Sequence, residues 1–125
     1  MDSLENKSLP KTERLNGENN ISTLLKKGKF ISGDRLKMCY YKNPENQNSR
    51  IMVSVPKKLF KRAVKRNLLK RRIRESYRQL KSIIAAEQHD ILFIYTSKTE
   101  HSYDTINKDI EGLLGAINKK RKVNG

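Results

Sequence analysis

A chain of 125 residues with 28 Lys and Arg against 13 Asp and Glu carries a formal charge of +15, while only 35% of its residues are hydrophobic. That length allows one domain with a small core, and so large an excess of one sign repels itself unless a polyanion offsets it. No apolar run approaches the ~18 residues of a bilayer span, and the single cysteine, Cys39, excludes an internal disulfide and a thiolate-rich zinc site.

Residues 1–14 (MDSLENKSLPKTER) are polar and aperiodic and read as a disordered tail. They carry no apolar stretch of the kind a secretion signal needs, so a cytoplasmic location is expected. Ile21, Leu24 and Leu25 then follow helical spacing, with Asn19 or Asn20 expected as the cap and Gly28 as the stop. Phe30 and Ile31 open a short strand. Leu36, Met38 and Tyr40 alternate with Lys37, Cys39 and Tyr41, the period of a half-buried strand. The polar run 43–49 (NPENQNS) reads as a hairpin loop, and Ile51, Val53 and Val55 form another alternating strand that Pro56 closes.

Between Lys57 and Lys81 stand twelve Lys or Arg residues and one acid, Glu75. Through this segment Leu69, Ile73, Tyr77, Leu80 and Ile84 keep the spacing of a core-facing helical stripe. His89-Asp90 reads as a break, with His89, like His101, a loop residue. The continuous run Ile91 to Tyr95 suits an interior strand. Ser102 is placed to cap a last helix with Asp104 in its first turn, its apolar face being Ile106, Ile110, Leu113, Leu114 and Ile117. Residues 119–125 form a basic tail. The order is α-β-β-β-α-β-α, an α+β domain over residues 15–118 with helices packed on one sheet.

Most charge runs are solvated faces and nothing more, but the geometry of Arg62 to Arg78 argues for a binding surface. With Ile73 at zero and ~100° per residue, the apolar stripe stays within about 40° of zero. Lys70, Lys81, Arg74, Asn67, Arg78 and Arg71 then fall between roughly 60° and 160°. Like charges at such spacing are mutually destabilising, so a polyanion is expected along that edge. Arginine predominates among these cations, and its planar fork grips phosphate in two places and stacks on bases. With about six phosphates engaged, affinity should fall with salt at a log-log slope near −4 to −5. A membrane surface is disfavoured because the apolar stripe is core-facing. Cys39 and Tyr77 lie in strand and helix patterns and read as packing residues. No paired carboxylates or Ser-His-Asp spacing suggest hydrolysis by the protein itself, and neither histidine stands at metal-ligand spacing.

The string Ala63-Val64-Lys65-Arg66-Asn67-Leu68-Leu69-Lys70-Arg71-Arg72-Ile73-Arg74-Glu75 resembles the signature of the bacterial ribonuclease P protein family, roughly A-V-x-R-N-R-x-K-R-x-x-R-E. Lys26-Lys27-Gly28 and Val53-Ser54-Val55-Pro56-Lys57-Lys58 match its first helix end and its strand exit, and the resemblance spans residues 14–118. It implies a four-stranded mixed sheet with a left-handed β-α-β crossover, against the usual right-handed rule. It also implies a protein subunit, inert alone, that pairs one-to-one with a catalytic RNA. That RNA, with Mg²⁺ held mainly by RNA and substrate, removes the 5′ leader of precursor tRNA.

Carried over by position, Arg62, Lys65, Arg66, Asn67, Lys70, Arg71, Arg74 and Arg78 would contact the catalytic RNA. Ile21, Leu25, Lys26, Lys29, Phe30 and Tyr40 would line a leader cleft between the first helix and the sheet. No catalytic residue and no protein-held metal are implied. Leu68 replaces the family's second signature arginine, Ile21 and Leu25 stand where many members have Phe, and Phe60 and Lys61 stand where a glycine-containing turn is common. The rival readings are a ribosomal or general RNA-binding module and a DNA-binding protein reading the major groove with its basic helix. Simple basicity does not explain the full signature string, and the cationic run is longer than a typical recognition helix.

Overall fold

A computed structural model describes residues 11–124. Its elements are α1 (Glu18–Lys27), β1 (Lys29–Ser32), β2 (Leu36–Lys42), β3 (Arg50–Ser54), α2 (Ala63–Leu80), β4 (His89–Tyr95) and α3 (Tyr103–Asn124). Short 3-10 turns at Lys11–Glu13 and Lys81–Ile84 flank them. The α+β order therefore matches the expectation. The strands form one mixed sheet in the order β1-β2-β4-β3, with β3 and β4 parallel and the other pairs antiparallel. The segment joining β3 to β4 is α2, so the basic helix is the crossover of the β-α-β unit.

Alternation along each strand divides the apolar residues between two layers. On one face, Leu36, Met38, Tyr40, Ile51, Val53, Val55, Ile91, Phe93 and Tyr95 meet Leu69, Ile73 and Tyr77 of α2 and the expected face of α3. Ile106, Ile110, Leu113, Leu114 and Ile117 are all buried there. On the other face a smaller cluster joins Leu15, Leu24, Cys39 and Leu92. β4 contributes to both, which is why its apolar run is continuous rather than alternating.

Four local expectations are corrected. Residues 43–49 do not close a hairpin, because β4 lies between β2 and β3 and the loop passes over its end. His89 and Asp90 are not a break: they begin β4 and are buried, since Asp90 finds partners from other elements. Arg50 grips it with Nε and Nη2, both at 2.9 Å, and the amides of Asn43 and Asn46 donate to it at 3.1 and 2.8 Å. The α1 cap is Gly17, at φ 88°, not Asn19 or Asn20, which lie inside the helix. The Asn20 amide donates instead to the Asn16 carbonyl at 3.0 Å. Of the expected N-terminal tail, residues 1–10 lie outside the described residues. Beyond them, Arg14 bridges Ile51 on the edge of β3, and Leu15 N–H donates to the Ile51 carbonyl at 2.7 Å. At the other end the backbone of the basic run stays helical to Asn124.

Gly28 ends α1 as expected, but for want of space rather than for a special dihedral. Its φ is −74°, and a Cβ would stand 2.5 Å from the Leu24 carbonyl oxygen and 2.6 Å from Cys39 Sγ. The chain leaves the helix here because only glycine permits so close an approach to the sheet.

Candidate nucleic-acid interface

The apolar stripe of α2 fixes its rotation about its own axis. Leu69, Ile73 and Tyr77 are buried at 0–1% exposure, and this turns Asn67, Arg71 and Arg78 into solvent with Lys70 and Arg74 half-buried beside them. The outward edge is thus a run of cations on a rigid element, as the helical wheel predicts. Its lone acid, Glu75, accepts from Arg78 Nε at 3.1 Å and from Gln79 at 3.1 Å, and so offsets one cation of that edge. Arg78 beside it holds the Glu75 carboxyl below the usual carboxylate range and sets the guanidinium's direction.

Arg66, Lys65 and Arg72 lie elsewhere. Arg66 sits close to the core-facing side, and its Nη1 donates to the Phe60 and Lys61 carbonyls, both at 2.8 Å. It therefore braces the β3–α2 connection that carries Lys57, Lys58, Lys61 and Arg62. Lys65 and Arg72 occupy the opposite flank of the helix, next to the loop that leads into α3. There Glu100 accepts from Arg72 Nη1 at 3.3 Å and pairs with Lys65 Nζ at 3.4 Å. Arg62 is exposed at the N-cap of α2. Val64 is 78% exposed and Leu68 half-buried, so the position of the missing signature arginine adjoins an apolar spot on the outer surface.

The candidates around α1 separate by sheet register. Phe30 pairs with Cys39, so it stands on the α1 side. It is 47% exposed, with the Lys37 ammonium 4.8 Å from its ring centre, an arrangement in which the ring faces a cation. Leu25 is 46% exposed and Ile21 half-buried, with Lys26 exposed on the same helix. Tyr40, by contrast, is buried in the main core on the opposite face, and Lys29 pairs with it and shares that side. Neither faces the cleft beneath α1. The sequence held the signal that was missed: Tyr40 alternates with Leu36 and Met38, whereas Lys37 and Tyr41 lie on the α1 face. Beyond Lys37 a groove of about 570 Å³ is lined by Ile94, Pro56, Leu59, Lys58 and Lys98. An apolar floor rimmed by lysines suits a single strand of nucleic acid, whose bases need contact area and whose phosphates need cations.

Among the described residues, no three His, Cys, Asp or Glu side chains converge where a metal ion could be held. Cys39, buried and in contact with the Leu24 carbonyl, has its thiol pushed up by burial and reads as packing. No described helix is long and apolar enough to cross a membrane.

A family model described as Ribonuclease P matches residues 9–118. Curated relatives named ribonuclease P protein component include one from Chlorobium phaeobacteroides, 40% identical and covering 94% of this chain and 92% of its own. Another, from Picosynechococcus, is 32% identical over 85% of this chain and 90% of its own. Among solved structures, the RNase P protein of Staphylococcus aureus superposes with a TM-score of 0.74 at 28% identity, covering 84% of this chain and 94% of its own. That of Thermotoga maritima gives 0.73 at 28%, covering 83% and 96%.

Proposed function

The chain belongs to the ribonuclease P protein family, and from that premise we propose that it is the protein subunit of a ribonuclease P, acting in 5′ maturation of tRNA. It binds one catalytic RNA through the outer edge of α2, with Asn67, Lys70, Arg71, Arg74 and Arg78 as the contacts and Arg62 at the helix start. Arg66 serves this surface by holding the preceding loop. The 5′ leader of precursor tRNA lies on the α1 face, against Ile21, Leu25 and Phe30, with Lys26 and Lys37 nearby, and continues toward Lys58 and Lys98. Of Ile21, Leu25 and Phe30, only Phe30 offers a π-face for stacking, and Tyr41 lies on the same side of the sheet.

The observation that carries this reading is the rotation of α2, which gathers its cations on one solvent-facing edge of a packed helix. Mg²⁺ belongs to the RNA and its substrate, and the protein contributes charge, shape and position to a reaction in which none of its residues touches the reacting atoms. The complex is one RNA with one protein, located in the cytoplasm. The test is a salt series for binding to ribonuclease P RNA. Arg71→Ala with Arg74→Ala should flatten the log-log slope by about 1.5–2, because each phosphate contact contributes ~0.7–0.9. A slope equal to that of the unaltered protein would count against this edge as the RNA surface.

A further inference from the structure

The two flanks of α2 differ in a way that cation counting alone does not show. On the α3 side, Lys65 and Arg72 face a carboxylate that comes from outside the helix: one oxygen of Glu100 meets Lys65 at 3.4 Å and the other meets Arg72 at 3.3 Å. The loop bearing Glu100 is tied down on both sides. Tyr95 Oη donates to the Thr99 carbonyl at 2.7 Å and accepts from His101 N–H at 3.1 Å, while Ser97 Oγ lies 3.0 Å from His101 Nε2. Arg72 also donates to the His101 carbonyl at 2.6 Å. The acid is therefore held in place, and the contact is not a chance meeting of two long side chains.

We propose that Glu100 stands where an RNA phosphate would otherwise sit, withholding Lys65 and Arg72 from polyanions and confining RNA to the opposite flank of α2. Half-exposed pairs of this kind contribute little to stability, so stapling the fold does not account for a fixed acid bridging two cations of α2. Its effect on charge is direct. A flank of two cations keeps a net charge of only +1, and an approaching phosphate must displace a carboxylate of its own sign. Glu100 thus lowers indiscriminate binding to RNA on this flank of the helix. The identity of the RNA on the opposite flank rests on the functional reading above.

The experiment compares the full chain with its Glu100→Gln variant, both confirmed folded by circular dichroism. Binding is measured to an unrelated RNA duplex and to ribonuclease P RNA across a salt series. With Lys65 and Arg72 released, the slope on the unrelated duplex should steepen by about 1–2, since each new phosphate contact adds ~0.7–0.9. Affinity at low salt should rise several-fold. Adding Lys65→Ala to that variant should take back about half of the gain, whereas Lys65→Ala alone should leave the slope where it was. An unchanged slope for Glu100→Gln overturns the proposal, as does a slope that flattens by about 1 for Lys65→Ala alone. If Glu100→Gln steepens the slope but the unaltered protein shows no preference for ribonuclease P RNA over the duplex, the functional reading fails and this inference stands.

Discussion

Arg66 and Asn67 are adjacent in the signature string but face different surroundings. Asn67 is exposed on the outer edge, whereas Arg66 reaches back to two carbonyls at 2.8 Å. Hydrogen bonds from a charged donor contribute about 1.5–3 kcal/mol where they are sheltered, and this one is part-exposed. Arg66→Ala should therefore cost about 1–2 kcal/mol in urea unfolding, with Asn67→Ala within ~0.5 kcal/mol of the unaltered protein. Equal midpoints for the two would show that Arg66 does not brace the loop. Asp90 is the other residue whose surroundings decide its role. Its side chain is 4% exposed and that of Arg50 is 21%, and the hydrogen bond to Asp90 raises the affinity of Arg50 for its proton. Removing one partner strands a buried charge, so Asp90→Ala should destabilise the fold by about 3–5 kcal/mol by the same measurement. A loss under ~1 kcal/mol would place the pair among surface ion pairs. In the sequence, His89-Asp90 looks like a break, because the partners of Asp90 lie 40, 44 and 47 positions away.

At the scale of elements, α1 is the one helix held by a small contact. Its only fully buried residue is Leu24, packed in the cluster with Cys39 and Leu92, and the close approach at Gly28 brings it there. Gly28→Ala places a methyl group 2.6 Å from Cys39 Sγ, an overpacking that typically costs about 1–3 kcal/mol. Amide protons of residues 18–27 should then exchange faster, while those of β4 keep their protection. Uniform loss across both elements would mean that α1 is not a separable unit. The body of α1 was legible from Ile21, Leu24 and Leu25, and so was its glycine stop. Its start was not, because a glycine cap at positive φ leaves no side-chain signature, whereas Asn19 and Asn20 look like caps. Helix α2 was legible almost whole: period fixes which side is buried, and burial fixes which cations are outward. The same period put Tyr40 on the core side of β2, with Lys37 and Tyr41 on the other. The neighbours of Lys65 and Arg72 were hidden, because Glu100 reaches them from a loop beyond β4.

Over the whole molecule, local pattern named every strand but not the order β1-β2-β4-β3. Which strands neighbour one another depends on pairings between distant segments, and the polar run 43–49 carries no mark of bypassing a strand instead of turning a hairpin. The parallel β3–β4 pair makes α2 a crossover covering one face, and leaves the α1 face partly open. The two surfaces of the functional account follow from that topology: a cationic helix edge for a structured RNA, and a partly covered sheet face for a single strand. A protein that supplies only charge and position should matter most when Mg²⁺ is scarce, because its cations then offset phosphate repulsion that the metal otherwise screens. The most direct measurement is 5′ leader removal from precursor tRNA by ribonuclease P RNA at low Mg²⁺, with and without this chain. The account predicts faster cleavage with the protein, a smaller advantage as Mg²⁺ rises, and no cleavage by the protein alone. Cleavage no faster than with the RNA alone at every Mg²⁺ concentration, or cleavage by the protein without RNA, would contradict it.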